Sequence, residues 1–276
     1  MEDKGKIIRE RVWFICKVLL WYFFYQLVCT FGFTLIDDAA RLLTGEEVYF
    51  SDNATLAASL FLSALLMVWH LLTFGYMKLS PRLLTEVSPQ VLFRSTVLIF
   101  GAMYLFNVVM EWIPLPDLME NTFIEMSDEP LGVLSMALVA PVVEEMIFRG
   151  TIQGYLMRRC RNPWTAIILS ALIFGAIHMN PQQVVYAFLL GTVFGWIYYR
   201  TRSLMPVLLG HVLNNSVAVI SMKIWGTEDM EAITANDTMT MLPLLLIIAV
   251  GIASLALKLN RELPEVPRPW NEISEE

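Results

Sequence analysis

The chain has 276 residues, 57% of them hydrophobic and only 16% charged, with a mean hydropathy of +0.58. Soluble domains carry about 25% charged residues, so a water-soluble globule is excluded. The net charge of −7 says little about partners before its distribution is mapped, and Cys16, Cys29 and Cys160 lack metal-like spacing and read as packing residues.

The apolar residues come in blocks of about twenty, the length of a membrane-crossing helix. The alternating segments of about ten that a β-barrel needs are absent. In chain order, a basic flank (Lys4, Lys6, Arg9, Arg11) runs into a first span at 12–33. No small-residue cleavage site stands out there, so it reads as a span and not as a cleaved signal. Further spans are expected at 54–76, 91–112, 131–157, 164–179, 182–199, 204–224 and 241–259. The segment 114–130 has room for a short surface helix, and 261–276 reads as a flexible cytoplasmic tail behind a single transmembrane domain, 1–260.

Charge placement follows this division. Lys78, Arg82, Arg94, Arg158, Arg159, Arg161, Arg200, Arg202, Lys258, Arg261 and Arg268 fall at alternate ends of the spans. Acids fill the opposite loops: Asp37, Asp38, Glu46 and Glu47, then Asp117 to Glu129, then Glu228, Asp229 and Glu231. Only Arg41 and Lys223 sit on that second side. By the excess of basic residues in cytoplasmic loops, the expected fold is an all-α polytopic bundle of eight transmembrane helices in the cell membrane, both termini cytoplasmic.

Into this apolar chain the sequence sets Glu144-Glu145-Met146-Ile147-Phe148-Arg149, with His178 and His211 in later apolar segments. Ionisable groups at such depth are costly and point to function. Glu144 lies fifteen residues from Arg159, and His178 fifteen from Pro163, each about 22 Å of helix. His211 and Asn215 lie nine and thirteen residues beyond Arg202, about 13 and 20 Å. Similar depths on separate helices favour one shared cavity. Glu145 and Arg149 stand at the i,i+4 spacing of an ion pair, and Phe174 stacks one turn before His178. His70, beside Trp69, reads as an interfacial packing residue. Gly191 and Gly195 have the spacing of a close helix contact, and Gln182 and Gln183 either line the cavity or cap a helix.

A carboxylate near two imidazoles and a carboxamide can activate water and stabilise an oxyanion. Glu144 suits a general base with His178 polarising the water, and His211 and Asn215 suit the oxyanion. The same atoms of Glu144, His178 and His211 also permit a zinc site, although no H-E-x-x-H is present.

The chain resembles the CPBP family of intramembrane proteases, which includes the CAAX prenyl endopeptidases and bacterial Abi proteins. The family's E-E-x-x-x-R is Glu144 to Arg149, F-x-x-x-H is Phe174 to His178, and H-x-x-x-N/D is His211 to Asn215. The likeness covers about 131–220. It implies catalytic Glu144, His178, His211 and Asn215, with Glu145 and Arg149 in support and Phe174 as the motif's aromatic residue. It implies cleavage of a membrane-associated or prenylated, CAAX-like peptide by glutamate-activated water. No cofactor is expected, zinc being the alternative because family members were long described as metalloproteases. The expected partners are the lipid bilayer and a peptide substrate, with no nucleic acid. Competing readings are a non-hydrolytic peptide- or lipopeptide-binding membrane protein and a proton-coupled transporter; no inverted repeat is evident for the latter.

Overall fold

Ser88-Pro89, Asn162-Pro163 and Asn180-Pro181 each open a helix in the computed structural model, which describes residues 4–45, 51–79, 84, 87–227, 242–264 and 266. Proline suits a first helical position because the N–H it lacks has no partner there. Ser88 and Asn162 add a side-chain oxygen that accepts from the first turn, at Val91 N and Trp164 N.

Among the described residues the long helices are α1 (Lys4–Thr44), α2 (Asp52–Thr73) and α3 (Pro89–Glu111). A short α4 (Glu120–Ser127) follows in the acidic segment, as expected, and then α5 (Pro130–Met157). Next come α6 (Pro163–Ala176), α7 (Pro181–Thr201), α8 (Met205–Trp225) and α9 (Leu242–Glu262). Half of the apolar stretch of α5 is buried, against 11% for α1 and α9, so α5 lies inside the bundle and the other two lie outside it. Leu27 and Phe31 of α1 and Ile247 and Val250 of α9 stay exposed, as lipid-facing residues do. Helix α5 is wound as a π-helix at Ser135–Val139 and Met146–Gln153, on either side of Glu144 and Glu145. Such turns gather at functional sites.

The sequence placed the helices within a few residues, except α1, which begins eight residues before and ends eleven after the expected 12–33, but it miscounted the crossings. Six helices among the described residues are long and apolar enough to span a membrane, not eight. Helix α6 has 14 residues, about 21 Å, short of a hydrocarbon core of about 30 Å. Helix α7 has 21 residues, but Gln182, Gln183, Thr192 and Arg200 dilute its apolar character. The two form a hairpin that packs closely on itself: a methyl on Gly175 would lie 2.5 Å from the Val184 carbonyl oxygen. A stretch can be apolar and still too short or too polar to cross a membrane, and the charge alternation does not separate the two cases. Six is even, as eight is, so the corrected count does not by itself move the two termini to opposite faces. Several apolar spanning helices nonetheless make this a multi-pass membrane protein.

Glu46, Glu47, Arg82, Glu228, Asp229, Glu231 and Arg268 of the charge alternation, and 267–276 of the tail, lie outside the described residues. Arg200 donates to the Asn260 and Leu263 carbonyls and so caps the end of α9.

Candidate active site

Helix α5 supplies the charges. Glu145 and Arg149 are 0% and 1% exposed, and Arg149 Nη1 donates to Glu145 Oε1 at 2.8 Å, the i,i+4 pair the spacing predicts. Arg149 Nη2 donates to the Gly191 carbonyl at 3.1 Å, and the guanidinium lies over the Phe174 and Phe194 rings at 4.5 and 5.2 Å. One turn on, Gln153 Nε2 donates to the Gly195 carbonyl at 2.7 Å. A methyl on Gly191 would meet Arg149 Nη2 at 3.1 Å, and one on Gly195 would meet Gln153 Oε1 at 2.8 Å. The two glycines are therefore a strip on which buried polar side chains of α5 dock, more specific than a generic small-residue contact.

Glu145 Oε1 also accepts from His211 Nδ1 at 2.8 Å, so one carboxylate oxygen joins α5 to α8. His211 Nε2 then lies 3.7 Å from Glu144 Oε2. His178 Nδ1 donates to the Phe174 carbonyl at 2.8 Å, and its ring stands edge-on to Phe174 at 5.0 Å. A carbonyl only accepts, so Nδ1 bears the proton and the neutral ring keeps its lone pair at Nε2. Each imidazole is thus held by one nitrogen and acts with the other.

Glu144, Phe174, His178, His211 and Asn215 all line one cavity of about 280 Å³. Glu145 and Arg149 lie behind its wall, where burial and pairing hold them as the sequence reading of a supporting pair expects. Helix α1 contributes Tyr22 and Gln26 to the lining, α4 contributes Phe123, and α7 contributes Gln183. Asn215 Nδ2 donates to the Met136 carbonyl at 3.0 Å. Asn214 and Tyr186 are among the lining residues that went unread in the sequence. Asn214 adjoins Asn215, and Tyr186 follows Gln183 at helical i+3 spacing; together those were the available signal. His70 is 3% exposed and bonds Tyr25 Oη through Nδ1 at 2.9 Å, a packing residue in the last turn of α2. Glu, His and His are acceptable zinc donors, but among the described residues no three His, Cys, Asp or Glu side chains are gathered so as to hold an ion.

Residues 127–217 match the family model described as Type II CAAX prenyl endopeptidase Rce1-like, a stretch containing all four cavity groups from Glu144 to Asn215. The chain is 31% identical over 91 residues to "Putative membrane peptidase YdiL" of Bacillus subtilis (strain 168), across 33% of this chain and 37% of that protein. It is 29% identical over 96 residues to "Membrane-embedded CAAX protease MroQ" of Staphylococcus aureus (strain USA300), across 33% of this chain and 39% of that protein. The chain thus spans less than two fifths of the length of these curated relatives. No solved structure matches it.

Proposed function

The chain belongs to the CAAX protease, Rce1-like family, and from that premise we propose that it is an intramembrane endopeptidase acting on a membrane-associated, CAAX-like peptide. The observation that carries this reading is the 3.7 Å gap between Glu144 Oε2 and His211 Nε2 on the cavity wall shared with His178 and Asn215. The gap is too long for a direct hydrogen bond, and both atoms are free to act on a third group in the cavity.

In the proposed reaction Glu144 takes a proton from water as its oxygen bonds to the scissile carbonyl carbon. His178 holds the water by accepting its second hydrogen at Nε2. The tetrahedral oxyanion is met by the Asn215 amide and by His211, which donates from Nε2 as the imidazolium because Nδ1 already donates to Glu145. The C–N bond then breaks, and the proton held by Glu144 passes to the departing amine. Glu145 and Arg149 touch no reacting atom; they fix the direction of the His211 ring.

A comparison in native membranes tests the assignment. Membranes holding the wild type and Glu144→Gln are cross-linked, and new peptide termini and trapped peptides are identified by mass spectrometry. New termini with the wild type alone, and trapped intact peptides with the variant, are expected. Identical termini in both would defeat the assignment. Purified wild type that cleaves a peptide with no stoichiometric metal would remove zinc; activity lost on chelation and restored by zinc would overturn the metal-free chemistry.

A further inference from the structure

We infer that Tyr186 and Asn214 are positioning residues that set which end of the Asn215 carboxamide serves the reaction. The inference rests on the proposed role of Asn215 at the oxyanion. A carboxamide has nearly the same shape after a 180° flip, yet one orientation offers N–H groups and the other a carbonyl oxygen. Only the first can stabilise a developing negative charge.

The polarity can be followed bond by bond. Asn107 Nδ2 of α3 donates to Tyr186 Oη at 3.3 Å, so the tyrosine hydrogen is directed elsewhere, to Asn214 Oδ1 at 2.7 Å. Asn214 then presents Nδ2 to its neighbour and donates to Asn215 Oδ1 at 3.0 Å. With its oxygen engaged, Asn215 turns Nδ2 to the Met136 carbonyl at 3.0 Å, which only accepts. Every link demands the same orientation. Flipping Asn215 would set nitrogen against nitrogen and oxygen against oxygen. One N–H of the Asn215 amide is taken by Met136, which leaves the second for the cavity that this residue lines.

The last acceptor is free because of a specific residue in α5. In the π-helical turn at Ser135–Val139, the Ala140 N–H is directed to the Ser135 carbonyl. Residue 141, the next amide along, is Pro141, which has no N–H. Neither the α partner nor the π partner of the Met136 carbonyl is available, and the Asn215 side chain takes that place. The chain from Asn107 to Met136 thereby ties α3, α7 and α8 to α5 three residues before the turn that carries Glu144.

The test is a double-mutant cycle in proteoliposomes, with a quenched fluorescent farnesylated CAAX-type peptide as the probe. Tyr186→Phe is expected to lower kcat about tenfold, the worth of one hydrogen bond, with KM unchanged. Asn214→Asp keeps the acceptor for Tyr186 but replaces the donor to Asn215 with an oxygen, so it should lower kcat further at nearly constant volume. In an Asn215→Ala background, itself weakened by about 10²–10³ as for a lost oxyanion donor, neither change should matter further. Equal losses in both backgrounds, or losses confined to KM, would overturn the inference and leave Asn215 in its role. Full activity of Asn215→Ala would overturn that role and the inference with it. Thermal unfolding of each variant in detergent, expected to match the wild type, separates these outcomes from misfolding.

Discussion

About 100° of helix rotation separates Glu144, whose side chain reaches the cavity, from Glu145, which has no exposed surface. That rotation gives two adjacent, chemically identical groups different work. Glu145 is the shared acceptor of Arg149 and His211; Glu144, on the cavity wall, approaches His211 at 3.7 Å. Removing one member of a buried pair leaves an uncompensated charge, so Glu145→Ala is expected to lower stability by about 3–5 kcal/mol. Glu144→Ala should leave the denaturation midpoint in detergent at or above that of the wild type while abolishing turnover. Equal losses of stability would contradict this division of labour. The Glu145–Arg149 pair was legible because its geometry is set by spacing within one helix. The bond to His211 was not, because residue spacing fixes depth along a helix and not the direction in which it faces a neighbour.

At the scale of elements, the α6–α7 hairpin is where local sequence and catalytic geometry meet. The turn after His178 places Met179 at φ 52, in the left-handed region that costs a non-glycine residue energy. Asn180, fully buried, secures that turn: Nδ2 donates to Asp117 Oδ1 at 2.8 Å, and Oδ1 accepts from Leu118 N at 3.0 Å. The Asn-Pro pair was readable as a helix break, but its partners sit some sixty residues earlier and were not. Gly175 lets the two helices approach closely, and its added methyl would meet a backbone oxygen that cannot rotate away. Gly175→Ala should therefore cost about 1–3 kcal/mol as overpacking and reduce turnover by moving His178, whereas Gly251→Ala, with open space around it, should do neither. Thermal melts and kinetics of the two variants check this, and equal behaviour would contradict the close approach. The hairpin is also why the count of crossings was wrong. One of its helices is too short to cross and the other is diluted by polar residues, and charges at alternate ends record neither.

In the molecule as a whole, a peripheral α1 and an interior α5 bracket the cavity. The rings of Phe14 and Tyr155 stack at 3.7 Å, and Arg11 donates to the Arg159 carbonyl at 2.6 Å, so α1 is docked on the end of α5. Cys16 of α1 is exposed, whereas Cys29 and Cys160 are buried. A small maleimide is expected to modify Cys16 in the folded protein well before the other two, as read by mass spectrometry. Equal rates at all three would contradict the docking. That Glu144, His178, His211 and Asn215 share a cavity was legible in the sequence because three motifs on separate helices placed these polar residues at similar depths. The remaining walls come from α1, α2, α4 and α7, whose partners no motif records.

The proposed role of Glu144 as base, in a cavity it shares with His178, His211 and Asn215, is tested most directly by the turnover of the farnesylated peptide by wild type and Glu144→Gln in matched proteoliposomes. Cleavage by the wild type and none above background by the variant are expected, with both proteins unfolding at the same temperature. Cleavage by Glu144→Gln at the wild-type rate would contradict it.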